Sequence, residues 1–405
     1  MSTVGLESLT DVQVADVVKG GRLAARLTRV DTGIEFRYLA DYLADGVRAV
    51  ATTLPLTDEP IHTHAGAVPP FFAGLLPEGR RLSGLRRAVK TSADDELSLL
   101  LAVGADTVGD VQVVPTGVDA APVHPALEVE RSWSEVRFVD VLADAGVDLV
   151  GIPGVQDKVS ARVISVPVAR AGERFLLKVD PPEFPHVVAN EAFFLALARA
   201  ARLDVADAQV VLDADERPGL LVRRFDRLAL PSGATSALAC EDACQVLGRW
   251  PADKYNLTTE QVVGGLAAHC AARPVALRAL YRQLCFGWLT GNGDIHAKNL
   301  SILATPDGEW RVSPAYDLPS TVPYGDTSLA LSIDGRRRGL SRRRLLALAA
   351  TIGLGERAAE RVLDDLLVHL DGLTDSLREG ALPFDQNVTI DMVKELRYRR
   401  RQAMG

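Results

Sequence analysis

The chain is poor in cysteine, with Cys 4 in 405 residues, and this scarcity excludes a secreted scaffold held together by disulfides. It also lacks an uninterrupted apolar run of about 18 residues, so no transmembrane helix is predicted. Residues 1–16 contain no basic stretch followed by an apolar one, which argues against a secretory signal. Together these absences predict a cytoplasmic protein that does not bind membranes.

Basic residues are fewer than acidic ones: the chain has 45 Lys and Arg but 53 Asp and Glu, which gives a net charge of −8. This balance disfavours a general nucleic-acid binder. Basic residues nevertheless form two clusters, one at 336–344 and one comprising Lys394, Arg397 and residues 399–401. Each cluster is either a solvated helix face or a surface for an acidic partner or the DNA backbone.

The length of 405 residues predicts two or three packed subdomains rather than one simple core. Residues 1–115 show a mixed α/β pattern, with strands predicted at 33–38 and 111–115. Residues 116–149 form a predicted linker. The segment 150–235 then has a glycine-containing loop, strands at 158–164 and 174–179, a helix at 190–202, and strands at 210–212 and 219–222. This order is typical of the ATP-binding lobe of a kinase.

Residues 236–405 are predicted to be mostly helical, with helices at 241–248, 259–272, 275–290 and 341–353. The exception is a predicted hairpin, in which segments 300–303 and 310–312 flank a Pro-Asp-Gly turn. The sequence therefore predicts an α+β, bilobal, protein-kinase-like fold with an N-terminal α/β subdomain and a mostly helical C-terminal lobe.

The strongest motif is GNGDIHAKN at residues 291–299, which follows an apolar helix and precedes the hairpin. Asp294 and Asn299 have the D-x4-N spacing of a kinase catalytic loop. Asp317 follows the hairpin, at the position where kinases place their second metal-binding carboxylate. A polar loop without function could match D-x4-N by chance, but the hairpin and Asp317 make a catalytic loop the better interpretation.

Phosphoryl transfer explains these residue types, since it requires positioning and charge neutralisation more than covalent chemistry. Mg²⁺ prefers oxygen ligands, which the side chains of Asn299 and Asp317 can supply. Asp294 can accept the proton of a substrate hydroxyl. His296 and Lys298 lie in the same loop and could stabilise the γ-phosphate.

Two weaker signals concern nucleotide binding. The predicted phosphate loop comprises Pro153, Gly154, Val155, Gln156, Asp157 and Lys158. Backbone amides in such a turn-forming loop can approach phosphate oxygens. The sequence of the loop is neither a G-x-G-x-x-G loop nor a P-loop, so a plain turn is the alternative. Lys178 ends an apolar strand, and Glu191 lies at the start of the next helix, as in the lysine–glutamate pair of kinases. A solvent-exposed lysine and an ordinary acidic residue of a first helical turn are the alternatives.

Several segments together resemble the HipA-type serine/threonine kinase toxins of bacterial toxin–antitoxin pairs, and the resemblance covers nearly the whole chain. The most specific matches are CEDACQVLGRWPADKY (240–255) and GNGDIHAKNLS (291–301), followed by AYDLPST (315–321). The other matching segments are FFAGLLPEGRRLSGL (71–85), LLLAVGADTVGDVQVVP (99–115), GVQDKVS (154–160), FLLKVD (175–180) and LVRRFDR (221–227).

The resemblance implies Mg·ATP as cofactor, Asp294 as catalytic residue, and Asn299 and Asp317 as metal ligands. It implies further nucleotide contacts from the 153–158 loop and from Lys178, Arg223, Arg224, Phe225, His296, Lys298 and Tyr316. It also implies three kinds of partner: a helix-turn-helix antitoxin, a protein substrate such as an aminoacyl-tRNA synthetase, and DNA reached only through the antitoxin complex.

Two positions depart from the family pattern. Gly151 matches the position of a serine that the family's best-known member autophosphorylates, so self-inactivation there is not expected. Arg223 replaces the acidic residue of the E-R-F-D-R linker, which would remove a side-chain contact to the ribose. The sequence leaves two rival functions open, a small-molecule kinase of the aminoglycoside or choline type and a catalytically inactive corepressor that binds an antitoxin.

Overall fold

The structure is a computed structural model that describes residues 6–45, 48–120, 129, 132–144, 164–170, 172–230 and 235–405. The predicted phosphate loop at 153–158 and Gly151 lie outside the described residues, as does all but the last residue of the predicted strand at 158–164.

The N-terminal region is a five-stranded antiparallel sheet with short helices, and its strand order is β4-β3-β2-β1-β5. The predicted strands at 33–38 and 111–115 are confirmed. The sheet and helices enclose their own apolar core, which includes Leu27, Phe36 and Phe72. The elements are β1 (Val14–Lys19), β2 (Arg22–Val30), β3 (Gly33–Tyr38), α1 (Ala40–Ala44), β4 (Ile61–His64), α2 (Pro70–Gly74), α3 (Gly79–Val89), α4 (Glu96–Val103) and β5 (Val111–Pro115).

The next group is a four-stranded antiparallel sheet, in the order β6-β7-β9-β8, with two helices packed against it. The helix predicted at 190–202 begins before residue 190, because the Asp180 carboxylate accepts the backbone N–H groups of His186 and Val188 at 3.0 and 2.7 Å. The elements are α5 (Phe138–Asp144), β6 (Ile164–Arg170), β7 (Glu173–Val179), α6 (Val187–Ala200), β8 (Ala208–Leu212) and β9 (Pro218–Arg223).

The remaining elements are mostly helical and share one apolar core with α6 and β9. The prediction of a helix at 241–248 is wrong in its first part: a strand pairs with the first strand of the predicted hairpin, and helix begins only at Ala243. The elements are β10 (Arg227–Ala229), β11 (Thr235–Ala237), β12 (Cys240–Asp242), α7 (Ala243–Val246), α8 (Thr259–His269), α9 (Arg273–Thr290), β13 (Ser301–Ala304), β14 (Trp310–Val312), α10 (Arg342–Ile352), α11 (Glu356–His369), α12 (Leu373–Arg378) and α13 (Gln386–Met404).

The predicted hairpin is confirmed, since β13 pairs antiparallel with β14, and it positions the catalytic-loop motif between α9 and β13. The architecture is the expected bilobal, kinase-like α+β fold with an added N-terminal subdomain. Within the described ranges, no helix has both the length and the apolar character needed to cross a bilayer.

The N-terminal subdomain contacts the helical lobe through α2. Gln245 Nε2 on α7 donates to the carbonyl oxygen of Phe71 at 2.8 Å. Gly74 approaches the same glutamine so closely that a Cβ there would lie 2.6 Å from Gln245 Cγ. The glycine therefore permits a contact that any larger side chain would force apart, and this contact keeps α2 close to α7.

Candidate active site

A cavity of about 380 Å³ lies where the three groups of elements meet. Leu176 and Val222 of the four-stranded sheet line one wall, and Phe225 and Tyr316 line another. The rings of Phe225 and Tyr316 have centroids 5.7 Å apart and are tilted by 39°. Apolar walls combined with a few polar groups at one end are typical of a site for a small ligand with a flat apolar part.

Lys178, on β7, forms ion pairs with carboxylates from both lobes. Its Nζ atom lies 2.7 and 2.9 Å from the two carboxylate oxygens of Glu191 on α6. The same atom lies 3.0 Å from Asp317 Oδ1. The predicted pairing of the strand lysine with the helix glutamate is therefore confirmed, and Lys178 is not the exposed residue of the alternative interpretation.

Burial alone would favour the uncharged forms of Lys178 and Asp317, but the attraction between their opposite charges favours the charged forms. Desolvation lowers the pKa of Lys178, yet the carboxylates of Asp317 and Glu191 outweigh it and raise that pKa above its ordinary value. Desolvation likewise raises the pKa of Asp317, but Lys178 outweighs it and holds the pKa of that carboxyl below its ordinary value. Lys178 and Asp317 are therefore both charged at neutral pH.

Asp317 has a backbone φ of 57°, in the left-handed region that non-glycine residues seldom adopt. Two asparagines support it: Asn292 Nδ2 donates to its carbonyl oxygen at 3.2 Å, and Asn299 Nδ2 donates to its Oδ2 at 2.6 Å. Asn299 and Asp317 both line the polar end of the cavity. An amide and a carboxylate within hydrogen-bond distance fit a Mg²⁺ ion that would take further ligands from phosphates and water.

Asp294 is buried and does not line the cavity, although it lies in the same loop as residues that do. The hydroxyl group of Tyr255 donates to Asp294 Oδ1 at 3.0 Å, and the Asp294 backbone N–H donates to Asn292 Oδ1 at 2.8 Å. The carboxylate is thus fixed in orientation. Asn292 connects it to the Asp317 loop.

Lys298 is held in place by three acceptors. Its Nζ atom donates to the carbonyl oxygen of Gly74 at 2.8 Å and lies 3.4 Å from Asp242 Oδ2. The third acceptor is Glu78, whose Oε1 lies 3.7 Å away and whose Oε2 lies 2.5 Å from Lys254 Nζ. The N-terminal subdomain thus supplies a carboxylate that binds both lysines.

In this cluster, the carboxylates of Glu78 and Asp242 and the ammonium groups of Lys254 and Lys298 stabilise one another's charged forms. Burial raises the pKa of Glu78, but Lys298 and Lys254 outweigh it and hold that pKa below its ordinary value. Burial lowers the pKa of Lys298, but Asp242 and Glu78 outweigh it and raise that pKa. The result is a cationic Lys298 that is held by Gly74 and Glu78 of the N-terminal subdomain and by Asp242 of β12.

His296 lies beside this cluster and lines the cavity. Burial and the positive charge of Lys254 lower the pKa of His296 to about 3, so the imidazole is neutral at pH 7. Its Nδ1 atom is buried and has no hydrogen-bond partner among the described residues. A buried imidazole nitrogen without a partner needs an explanation, and a ligand group in the adjacent cavity supplies one.

The linker residues differ in their contacts. The guanidinium of Arg223 pairs with Glu173 at the surface, while Phe225 faces the cavity. The Arg224 side chain is buried in ion pairs with Asp106 and Asp226 at 2.7 and 2.8 Å. A nucleotide contact from Arg224 would therefore come from its backbone.

The structure brings together at one cavity nine of the candidate site residues in the part of the chain that it describes: Lys178, Arg223, Arg224, Phe225, His296, Lys298, Asn299, Tyr316 and Asp317. Asp294 lies behind them, and the 153–158 loop lies outside the described residues. Sequence reasoning missed Glu78, Asp242, Tyr255 and Asn292. The signal for Asn292 was present, because it lies within the GNGD segment.

Comparison with known proteins places both halves of the chain in one family. The HipA-like C-terminal domain family matches residues 150–372, and the HipA N-terminal domain family matches residues 15–114. Y4mE of Sinorhizobium fredii, which is named as a kinase, is 32% identical over 78% of this chain and 79% of its own length.

HipA of Shewanella oneidensis extends the comparison, both in sequence and in structure. The serine/threonine-protein kinase toxin HipA is 28% identical over 65% of this chain and 66% of its own length. The solved HipA from a toxin–antitoxin complex with HipB and operator DNA superposes with a TM-score of 0.76 at 22% identity, covering 96% of this chain and 97% of that one.

Proposed function

The chain belongs to the HipA family of kinase toxins, and from that premise we propose that it transfers the γ-phosphate of Mg·ATP to a serine or threonine of a protein substrate. The observation that carries the proposal is the ion-pair cluster of Lys178, Glu191 and Asp317 at one end of an apolar cavity. This cluster has the composition that kinases use to hold nucleotide phosphates.

Each residue of the cavity has a role that follows from its contacts. Phe225 and Tyr316 would enclose the adenine, and Lys178 would bind phosphate oxygens while Glu191 holds it in place. Asn299 and Asp317 would hold Mg²⁺, which when bound neutralises phosphate charge. Asp294, oriented by Tyr255 and Asn292, would accept the proton of the substrate hydroxyl.

His296 would serve as a neutral hydrogen-bonding group at the phosphates, because its pKa of about 3 keeps it uncharged at pH 7. Lys298 would add positive charge near the γ-phosphate without binding it as closely as Lys178 does, since three acceptors already hold its Nζ atom. The 153–158 loop remains a proposal from the sequence, as does the division into an N-terminal subdomain (1–115), a linker (116–149), an ATP-binding lobe (150–235) and a catalytic lobe (236–405).

We propose further that the protein acts as the toxin of a pair, with a helix-turn-helix antitoxin as partner and growth arrest as outcome. The fold shared with a HipA that forms a complex with HipB and operator DNA supports this assignment. An aminoacyl-tRNA synthetase is the substrate class that the family resemblance suggests. DNA contact would come through the antitoxin complex.

The test is phosphorylation of a bacterial lysate by the purified protein with Mg·ATP, alongside Asp294→Asn and a panel of aminoglycosides and choline. We expect labelled protein bands with the native chain, none above background with Asp294→Asn, and retained ATP binding in both. Labelling of a small molecule but no protein would favour the small-molecule kinase instead. Absence of any ATP turnover in the native chain would favour the corepressor.

A further inference from the structure

A tight turn follows Asp317 along the chain and carries three consecutive arginines. We define residues 333–338 as the arginine loop. The backbones of Ile333 and Arg336 exchange both hydrogen bonds, each 2.9 Å long. Between them, Asp334 and Gly335 have φ angles of 48° and 69°, which is the left-handed pair that a type I′ turn requires. The loop therefore has a defined shape.

Contacts on both sides attach the arginine loop to α8. The Asp334 backbone N–H donates to Glu260 Oε1 at 2.9 Å, and Ser332 forms a parallel bridge with Thr258. The carboxylate of Asp334 is itself paired with Arg344 at 3.1 Å. The turn thus has a fixed position, and its acidic residue is neutralised locally.

The arginine loop is connected to Asp294, the proposed catalytic base, through a single intervening residue, Tyr255. The Arg337 guanidinium donates to the carbonyl oxygens of Tyr255 and Ala330. The hydroxyl group of the same Tyr255 donates to Asp294 Oδ1 at 3.0 Å. A protein segment whose hydroxyl reaches Asp294 would therefore have its neighbouring residues close to this loop.

Arg336 and Arg338 flank Arg337, and both are exposed. Neither forms an ion pair with a carboxylate in the part of the chain that the structure describes. Both therefore offer an uncompensated positive charge on a protein whose net charge is −8.

The second arginine cluster differs in this respect. On α13, Arg397, Arg399 and Arg400 pair with Asp375, Glu395 and Asp371 at 3.2, 2.7 and 2.8 Å. Three of the five basic residues of this cluster are therefore engaged in ion pairs, and one of them, Arg399, is buried. The other two, Lys394 and Arg401, are exposed. A basic docking surface is therefore better sought at the arginine loop.

We propose that Arg336 and Arg338 bind acidic side chains that flank the phosphate-accepting residue of the protein substrate. This inference rests on the proposed kinase function and adds the chemistry of the substrate. The position near Asp294 favours a peptide over duplex DNA, because DNA binding requires a broad basic surface. An acidic protein in which most of the second basic cluster is already paired does not offer such a surface.

The experiment measures binding separately from catalysis. A fluorescein-labelled peptide with one serine between glutamates, and a matched peptide with glutamines, are titrated with the full chain and polarisation is recorded. The variants are R336Q/R338Q and, as matched control, R357Q/R361Q, which removes two exposed arginines from α11. A kinase assay with both peptides then gives kcat and KM.

We expect the glutamate peptide to bind the native chain more tightly than the glutamine peptide. R336Q/R338Q should weaken this binding about fivefold to tenfold, as expected for two exposed ion pairs. The difference in affinity between the variant and the native chain should become smaller at high ionic strength, because salt screens exposed charges. KM for the glutamate peptide should rise with kcat unchanged, whereas R357Q/R361Q should match the native chain.

Equal binding of both peptides, or no effect of R336Q/R338Q, would overturn the assignment. Tighter binding of a short DNA duplex than of the glutamate peptide would overturn it in favour of nucleic acid. If the native chain binds the glutamate peptide selectively but transfers no phosphate, the proposed kinase function fails while the binding surface stands. Phosphate transfer without any preference for the glutamate peptide would leave the kinase function standing and overturn the binding surface.

Discussion

Lys178 Nζ lies 3.0 Å from Asp317 Oδ1, and this contact joins the four-stranded sheet to the helical lobe across the cavity. Glu191 holds the same lysine from α6 at 2.7 Å. Kinases need the lysine–glutamate pair and the metal-binding aspartate in place at the same time. The protein therefore presents an assembled arrangement of these three groups.

Replacing Lys178 by Met should reduce phosphoryl transfer by about 100-fold or more, because one preorganised charge is lost. It should also destabilise the fold by about 3–5 kcal/mol, since Glu191 and Asp317 remain buried without their partner. Urea unfolding and a kinase assay measure the two effects. Adding Glu191→Gln should recover part of the stability but no activity. If Lys178→Met alone proved as stable as the native chain, the burial of Glu191 and Asp317 would not depend on their ion pairs with Lys178.

Asp317→Ala should abolish the increase in ATP affinity that Mg²⁺ causes, because the carboxylate supplies most of the charge that opposes the ion. Calorimetric titration with ATP, with and without Mg²⁺, measures this increase. Asp364→Ala, which removes an exposed carboxylate of α11, is the control and should behave as the native chain. An unchanged Mg²⁺ effect in Asp317→Ala would make Asp317 a structural loop residue.

Glu78→Gln should lower the free energy of unfolding by about 1–3 kcal/mol, because the buried ammonium groups of Lys254 and Lys298 lose a charged acceptor. Phosphoryl transfer should fall as well, since Lys298 loses one of its three acceptors. Glu309→Gln is a suitable control: it breaks a pair with Arg311 at an exposed position of the hairpin, where about 1 kcal/mol or less is expected. Equal effects of the two variants would argue against a special role for Glu78.

His296 should make stability depend on pH in the acidic range. Its pKa is about 3 in the folded protein, against an ordinary value of 6.5. Below pH 6.5 the unfolded chain therefore binds a proton that the folded protein does not. Stability from this group is fully present above about pH 6.5 and falls by about 1.4 kcal/mol per pH unit as the pH is lowered toward about 3.

Urea unfolding of the native chain and of His296→Gln between about pH 7.5 and 5.0 isolates this contribution as the difference between their slopes. The variant should lose less stability on acidification. Parallel curves would mean that the imidazole becomes protonated in the folded protein near its ordinary pKa.

The family resemblance implies an autophosphorylated serine at the position of Gly151, and glycine has no hydroxyl group, so incubation with Mg·ATP should leave the protein active. Mass spectrometry should find no stoichiometric phosphate on Ser132, Ser134 or Ser160. The hydroxyls of Ser132 and Ser134 are exposed and 3.0 Å apart, so both are accessible to the test. A stoichiometric phosphate on one of the three, accompanied by loss of activity, would contradict this expectation.

Local patterns predicted the parts of the site that are close in sequence. The D-x4-N loop, the hairpin and Asp317 follow one another along the chain, and Lys178 and Glu191 are separated by one strand end and one helix start. The helix predicted at 241–248 was partly wrong because β12 forms only through pairing with β13, a contact between distant segments. Glu78 could not be found for the same reason, since nothing in its own segment indicates Lys254 or Lys298.

These distant contacts affect how the protein folds. The bond from Lys298 to Gly74 joins residues 224 positions apart, and the bond from Lys254 to Glu78 joins residues 176 apart. Contacts between residues so far apart in sequence form late, because the entropy of closing a long loop must be overcome first. At a synthesis rate of about 5–20 residues per second, Lys254 and Lys298 are added on the order of ten seconds or longer after residues 71–78. A nascent chain of this protein remains without its candidate active site until about three quarters of it has left the ribosome.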